Sequence, residues 1–232
     1  MTVYATDEDI ALRASTDFSS LCPRDQVFAV GTDGVFAASD LWTLTSASVD
    51  FAAFGLTPGL LVRLTKPTTA FGPNGELFAI QSVATGAITL RRKGQAVSVG
   101  QPPAPIGGLS GVEFAVRSLG PQIELASYDL DRRFGIDECV PGRRSVDLHD
   151  QHQLREAVVL SVLYKQYLDQ SRQFAGRIAD PSETPGDVYA AKARIARAEL
   201  DEVLDRLALR WNAVDVASRS IATTRFSTRL SR

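Results

Sequence analysis

Two cysteines, two histidines and one methionine in 232 residues leave few side chains for metal or redox chemistry. Cys22 and Cys139 form no CxxC pair, so a zinc site built on cysteine has no framework here. They read as free thiols of a reducing compartment, with a disulfide between them as the alternative. There is no excess of either charge. Twenty-five basic and 27 acidic residues give a formal net charge of −2, which supplies no global attraction to nucleic acid or to acidic membranes. No apolar run approaches the roughly 20 residues of a membrane span, so no membrane partner is expected. The first residues, Met1 to Asp9, are acidic and lack the basic and apolar regions of a secretory signal; the chain is expected to be made and used in the cytoplasm, or built there into a particle. The phosphate-loop pattern GxxxxGK[ST] does not occur, and Gly31-Thr32-Asp33-Gly34 reads as a turn. Gly108-Leu109-Ser110-Gly111 fails as a nucleophile elbow because Val112 stands where the last glycine belongs, and it reads as a linker turn. With no named nucleophile, base or cofactor, the chain is expected to be no enzyme, with no catalytic residue, no metal site and no cofactor.

What the chain does have is ordinary folding composition, 44% hydrophobic and 22% charged, and a long helical stretch from about Asp147 to Trp211. The first helix there is expected to start near Asp147 or Asp150 and to run through Leu168. Val158, Val159, Leu160, Val162, Leu163 and Tyr164 make it apolar almost all round. A surface helix buries one stripe only, so this one is either the centre of a bundle or part of a subunit interface. A second helix is expected from Asp187, with Ala196, Leu200, Val203, Leu204, Leu207 and Trp211 facing inward. Residues 179–186 between them read as a Pro/Gly-marked loop.

Thr6 followed by Asp7, Glu8 and Asp9 marks a helix start, with Thr6 as cap and Asp9 in the capping-box position. From Val27 to about Val116, short apolar runs alternate with Gly, Pro and Asn turns. Candidate strands are Val27–Val30, Leu60–Leu64, Leu77–Val83, Ala87–Arg91 and Val112–Val116, while Asp40–Val49 fits a helical turn or a strand. This spacing predicts a small barrel, SH3-like or OB-like. Residues 101–108 form a rigid Pro-rich exit linker or, in the sharper reading, a polyproline ligand. Pro121–Leu130 reads as a helix with Pro121 in its first turn and Gly135 as its stop. The class expected is therefore α+β. Residues 1–25 hold the N-terminal helix of a bundle, 26–118 an inserted β-barrel, 119–211 the helical bundle as a hairpin, and 212–232 an extended arginine-rich tail.

Three features invite a binding role. His149 and His152 stand at i,i+3 near Asp147, Asp150 and Glu156, but solvated histidines at a helix start is the stronger reading. Arg91, Arg92 and Lys93 form a basic cluster near a hairpin tip, read as a solvated turn or as a contact to a nucleic-acid backbone or an acidic partner. After Trp211 the tail sets its arginines among Val214, Val216, Ile221, Phe226 and Leu230. It is expected to order on a partner, with a tail disordered throughout as the rival.

Taken together, Thr6-Asp7-Glu8-Asp9-Ile10, then a barrel, then Arg133-Phe134-Gly135-Ile136-Asp137, then the pair Leu154-Arg155-Glu156-Ala157 and Leu163-Tyr164-Lys165-Gln166-Tyr167, closed by Glu199 to Leu207, resemble the head-to-tail adaptor (connector, or head-completion) proteins of tailed bacteriophages. The resemblance covers about half of the chain, in its helical parts; the shortest adaptors are essentially all helical and lack the barrel. It implies a non-enzymatic virion structural protein located in the virion neck. Such a protein forms a homo-oligomeric, often dodecameric ring that joins the portal protein to the tail and lets genomic DNA pass through the lumen without sequence-specific binding. In that reading Val158, Val159, Leu160, Val162, Leu163 and Tyr164 meet a neighbouring subunit. Arg210, Arg219, Arg225, Phe226, Arg229 and Arg232 bind the portal, and Arg91, Arg92 and Lys93 face a neighbouring ring or the capsid. Alternatives are another neck protein such as a tail terminator, a barrel that binds peptide or nucleic acid, and an enzyme completed at subunit boundaries around His149 and His152.

Overall fold

The computed structural model describes residues 2–95, 107–148, 151–175, 185–207 and 209–211. The fold is α+β: a six-stranded antiparallel barrel and several helices, two of which form a hairpin. The chain divides into two packing units, Thr6–Gly120 and Met1–Ala5 with Pro121–Arg232.

The first unit opens with helices α1 (Asp7–Arg13) and α2 (Phe18–Leu21). The capping box expected at Thr6 is present: its hydroxyl accepts from the Asp9 N–H at 3.3 Å and the Asp9 carboxylate accepts from the Thr6 N–H at 2.8 Å. The six strands are β1 (Val27–Ala37), β2 (Asp40–Thr45), β3 (Leu61–Lys66), β4 (Glu76–Ala84), β5 (Ala87–Arg92) and β6 (Leu109–Arg117). A short helix α3 (Thr68–Phe71) lies between β3 and β4. They close in the order β1-β2-β5-β4-β3-β6, with β6 returning to β1 and every pairing antiparallel. The ambiguous stretch from Asp40 is thus a strand, and it is the sixth. The Leu109–Gly111 segment, expected in a linker turn, instead begins β6, where Leu109 pairs with Phe36. Residues 101–106 of the expected linker lie outside the described residues.

Alternation explains the core. Val112, Phe114 and Val116 of β6 point inward with Val62 and Leu64 of β3, Phe78 and Ile80 of β4, and Ile88 and Leu90 of β5. Phe51, between β2 and β3, packs on Phe114 at 5.4 Å. An eleven-residue strand such as β1 must bend to stay on a small barrel. It does so where its register to β6 shifts, between Gly31 and Gly34. A Cβ on Gly31 would stand 2.3 Å from the Phe114 ring, so only glycine lets this strand lie so close to the core.

The second unit contains residues 2–5, α4 (Gly120–Phe134), α5 (His152–Ala175) and α6 (Pro185–Arg206). Gly135, at φ 65°, ends α4 as expected. α5 begins at His152, next to the second of the two expected starts, Asp150, which lies outside the described residues; Asp147 is engaged elsewhere, its carboxylate accepting from the Gly142 N–H at 2.8 Å and the Arg144 N–H at 3.1 Å in and before a 3-10 turn. α6 ends at Arg206, so Leu207 and Trp211 are not on its inward face. Trp211 pairs with Leu148 through an isolated bridge, and the Arg143 guanidinium lies 5.8 Å from its ring centre.

The expectation that residues 1–25 belong to the helical bundle meets a different division. Only residues up to Ala5 group with α4–α6, while α1 and α2 group with the barrel. The reason is chemical. The buried Asp7 carboxylate accepts from the Leu119 N–H at 2.7 Å, and Glu8 pairs with Arg91 of β5.

Candidate functional site

The basic cluster sits where sequence placed it, at the end of β5 and in the turn after it. Its charges are already occupied. Arg91 donates to both carboxylate oxygens of Glu8 at 2.6 Å each, and to the Gln95 carbonyl at 3.0 Å. The Gly94 N–H also donates to Glu8. Burial pushes the Glu8 pKa up, but the Arg91 guanidinium and the Gly94 N–H outweigh it and hold the carboxyl below its usual value. Arg92 pairs with Glu76 of β4 at 3.1 Å. Lys93 donates to the Ser15 hydroxyl at 2.6 Å, and burial lowers its pKa. A guanidinium gripped by a bidentate carboxylate is a poor phosphate ligand. Arg91 therefore locks α1 to the barrel, while Arg92 and Lys93 stay partly exposed.

The six residues expected at a subunit interface lie together on α5, but the chain itself covers five of them. Val158 and Leu160 are fully buried, and Val159, Val162 and Leu163 are nearly so. In this conformation they are core, which is the bundle alternative of the sequence reading. Tyr164 alone stays partly exposed, with the Arg197 guanidinium 5.4 Å from its ring centre. Around the hairpin, Tyr189 of α6 stacks on Phe174 at 5.8 Å and on Tyr167 at 6.1 Å, and Lys192 lies over both tyrosine rings. The exposed apolar side chains of this unit's helices lie elsewhere, at Leu125 and Tyr128 of α4 and Val188 and Ile195 of α6.

Residues 2–5 strap onto α4. The Tyr4 hydroxyl donates to the Asp131 carboxylate at 2.6 Å and its N–H donates to the Ser127 hydroxyl at 3.3 Å. Burial raises the Asp131 pKa, and the Tyr4 bond only partly opposes it; Tyr4 itself is shifted upward by burial and by Asp131. Thr2 joins Glu138 and Ser145 in a polar cluster beside this strap.

Of the expected tail residues, Arg210 is described and exposed; Arg219, Arg225, Phe226, Arg229 and Arg232 lie outside the described residues, as does His149. His152 opens α5 on an exposed position. Cys22 is buried and Cys139 exposed, and both are free thiols. Burial, then the Asp7 charge, pushes the Cys22 thiol up to about 12, which makes it a poor nucleophile. Among the described residues no group of three or more His, Cys, Asp or Glu side chains is placed to hold a metal ion, and no helix is long and apolar enough to cross a membrane.

One pair escaped the sequence reading. Arg63 of β3 and Arg117 of β6 are far apart in the chain but become diagonal neighbours across paired strands, since Arg63 is opposite Ala115 and Leu61 opposite Arg117. Only the outward strand positions hinted at them; the register that joins them is a tertiary fact.

Comparison of the chain with family models, with curated proteins and with solved structures finds no match.

Proposed function

We propose that this protein is a non-enzymatic assembly subunit: a head-to-tail adaptor of a tailed-phage neck that forms a ring between portal and tail. The observation that carries the reading is the insertion. Residues 2–5 hydrogen-bond to α4 within the helical unit, the chain leaves to build the barrel, and it returns at Pro121 to complete the helices. A helical unit interrupted by a barrel is the layout on which the adaptor resemblance rests. The barrel serves as an SH3-like or OB-like attachment module, enlarged by a sixth strand.

Because the apolar positions of α5 are buried in the single chain, the ring contacts fall to the outer faces of α4 and α6, through Leu125 and Tyr128 on one helix and Val188 and Ile195 on the other. Ring closure needs two different patches, since head-to-tail contacts are heterologous. The tail from Arg210 onward docks on the portal, and its repetition around a ring multiplies a weak contact into a firm one. DNA passes through the lumen unread.

The test is absolute mass by light scattering, for the full chain alone and mixed with its cognate portal. A ring, or a monomer converted to a stoichiometric ring on the portal, is expected. Ile195→Asp is expected to leave a folded monomer that no longer forms it. A monomer indifferent to the portal would sink the reading.

A further inference from the structure

We infer that the outer face of the barrel carries an oxyanion site of the phosphate class, formed by Arg63 on β3 and Arg117 on β6. It does not depend on the ring reading.

The geometry comes from register. Arg63 is opposite Ala115, and Arg117 is opposite Leu61, so the two arginines are diagonal neighbours on the same face of an antiparallel pair. Such neighbours have Cβ atoms about 7–8 Å apart, within reach of two long side chains. Between them stand Ala115, whose other partner is the exposed Val30 of β1, and Leu61, which is 1% exposed and so covers the apolar floor of the pair. The inward neighbours on these strands, Val62, Leu64, Phe114 and Val116, fill the core, so both guanidiniums lie on the outside.

Among the described residues neither arginine forms an ion pair. Arg63 donates to the backbone carbonyl of Asn74, through Nε (3.0 Å) and Nη2. Arg117 donates to the backbone carbonyl of Ser19 through Nη1, and its Nε is buried with no acceptor among the described residues. The carboxylates nearby are engaged: Glu113, two positions before Ala115, holds Lys66 at 2.7 Å and Thr65 at 3.3 Å, and Asp7 holds the Leu119 N–H. Both arginines are half-buried. Burial, and then the charge of Arg117, pushes the Arg63 pKa down. Two partly desolvated like charges side by side are unfavourable unless an anion joins them.

The number of donors selects the anion. Each guanidinium has five N–H groups in a planar fork, and most of them have no protein acceptor among the described residues. One fork satisfies one carboxylate. A tetrahedral phosphate offers oxygens to two forks at once, which is why paired arginines suit it. The source is free phosphate or the phosphodiester of a nucleic-acid backbone.

The experiment uses the full chain and inorganic phosphate, with chloride at matched ionic strength and pH as the reference. The thermal midpoint of the wild type is expected to rise by a few degrees, increasing with the logarithm of phosphate concentration. Arg63→Gln and Arg117→Gln are each expected to abolish the rise, and Arg63→Lys to retain part of it. Because the reading is a difference within each variant, a loss of stability in Arg117→Gln, which also loses its bond to Ser19, does not obscure it. A short DNA duplex then separates the sources. Binding that weakens in Arg63→Gln, with the salt slope reduced by about one, assigns the phosphodiester; a phosphate effect without DNA binding assigns free phosphate. No phosphate-dependent rise in the wild type, or a rise that survives both glutamine substitutions, overturns the site. So does a rise with acetate equal to that with phosphate, which would place a protein carboxylate there instead.

Discussion

Asp33, on the partly exposed bend of β1, organises the segment after β2. Its carboxylate accepts from the Ser46 hydroxyl at 2.8 and 3.0 Å and from the Ala47 and Ser48 N–H groups at 2.9 Å each. These bonds, Ser46 first, hold its pKa at about 2 against an ordinary 3.8. A depressed carboxylate pKa contributes stability that is complete above the ordinary value and lost as pH falls through the folded one. Asp33→Ala is therefore expected to lower the thermal midpoint at neutral pH, and the gap to wild type is expected to close between pH 4 and 2. A gap unchanged at pH 2 would show that the bonds do not depend on charge. Asp131 has the opposite sign: its pKa is raised, so its ionised form opposes folding at neutral pH and that penalty fades in acid. Tyr4→Phe removes the hydroxyl that offsets the penalty. Denaturant unfolding is expected to register a loss of about 1–3 kcal/mol at neutral pH that shrinks as Asp131 protonates.

At the scale of elements, α1 buries Ile10 and Ala11 and is tied to the barrel unit by the Asp7 bond to the Leu119 N–H and by the Glu8–Arg91 ion pair. Glu8 and Arg91 side chains are 16% and 14% exposed, so each would be left largely unsolvated without the other. Glu8→Leu alone is expected to destabilise toward the lower end of the roughly 3–5 kcal/mol typical of a broken buried pair, and Glu8→Leu with Arg91→Met to recover most of the loss. A double-mutant cycle with no coupling would refute the lock. For α5, the question is whether its apolar girth serves the single chain or a neighbour. Leu160 is fully buried without any partner chain. Leu160→Ala is expected to cost about 2–5 kcal/mol, with the same loss at every protein concentration. A loss that grows on dilution would return Leu160 to a subunit interface.

At the scale of the whole molecule, the barrel is an insertion in a helical protein. Replacing residues 6–120 with a short Gly/Ser linker is expected to leave α5 and α6 folded, read as retained helical circular dichroism and a cooperative melt, because α5 and α6 pack on each other and the residue 2–5 strap bonds to α4. A molten product would mean that the helices need the barrel for their core. The same division locates the functional surfaces proposed above, with assembly through α4, α6 and the tail, and anion binding on the barrel.

Local chemistry alone determined much of this protein. The Thr6–Asp9 capping box, the stop at Gly135, five of the six strands and the two long helices are legible because caps, glycine conformations and apolar periods act over a few residues. Spacing leaves Asp147 and Asp150 equal as starts of α5; Asp147 is captured by Gly142 and Arg144, a competition that spacing does not reveal, and the helix begins at His152. Only the tertiary structure decided what the charges and apolar faces do. Arg91 meets Glu8 across the barrel unit, α5 is covered within its own chain, and Arg63 meets Arg117 through strand register. Each of these depends on which distant segments the closed barrel and the hairpin bring together. A side chain's burial and partners, not its identity, determine whether it supports the fold or is left to bind.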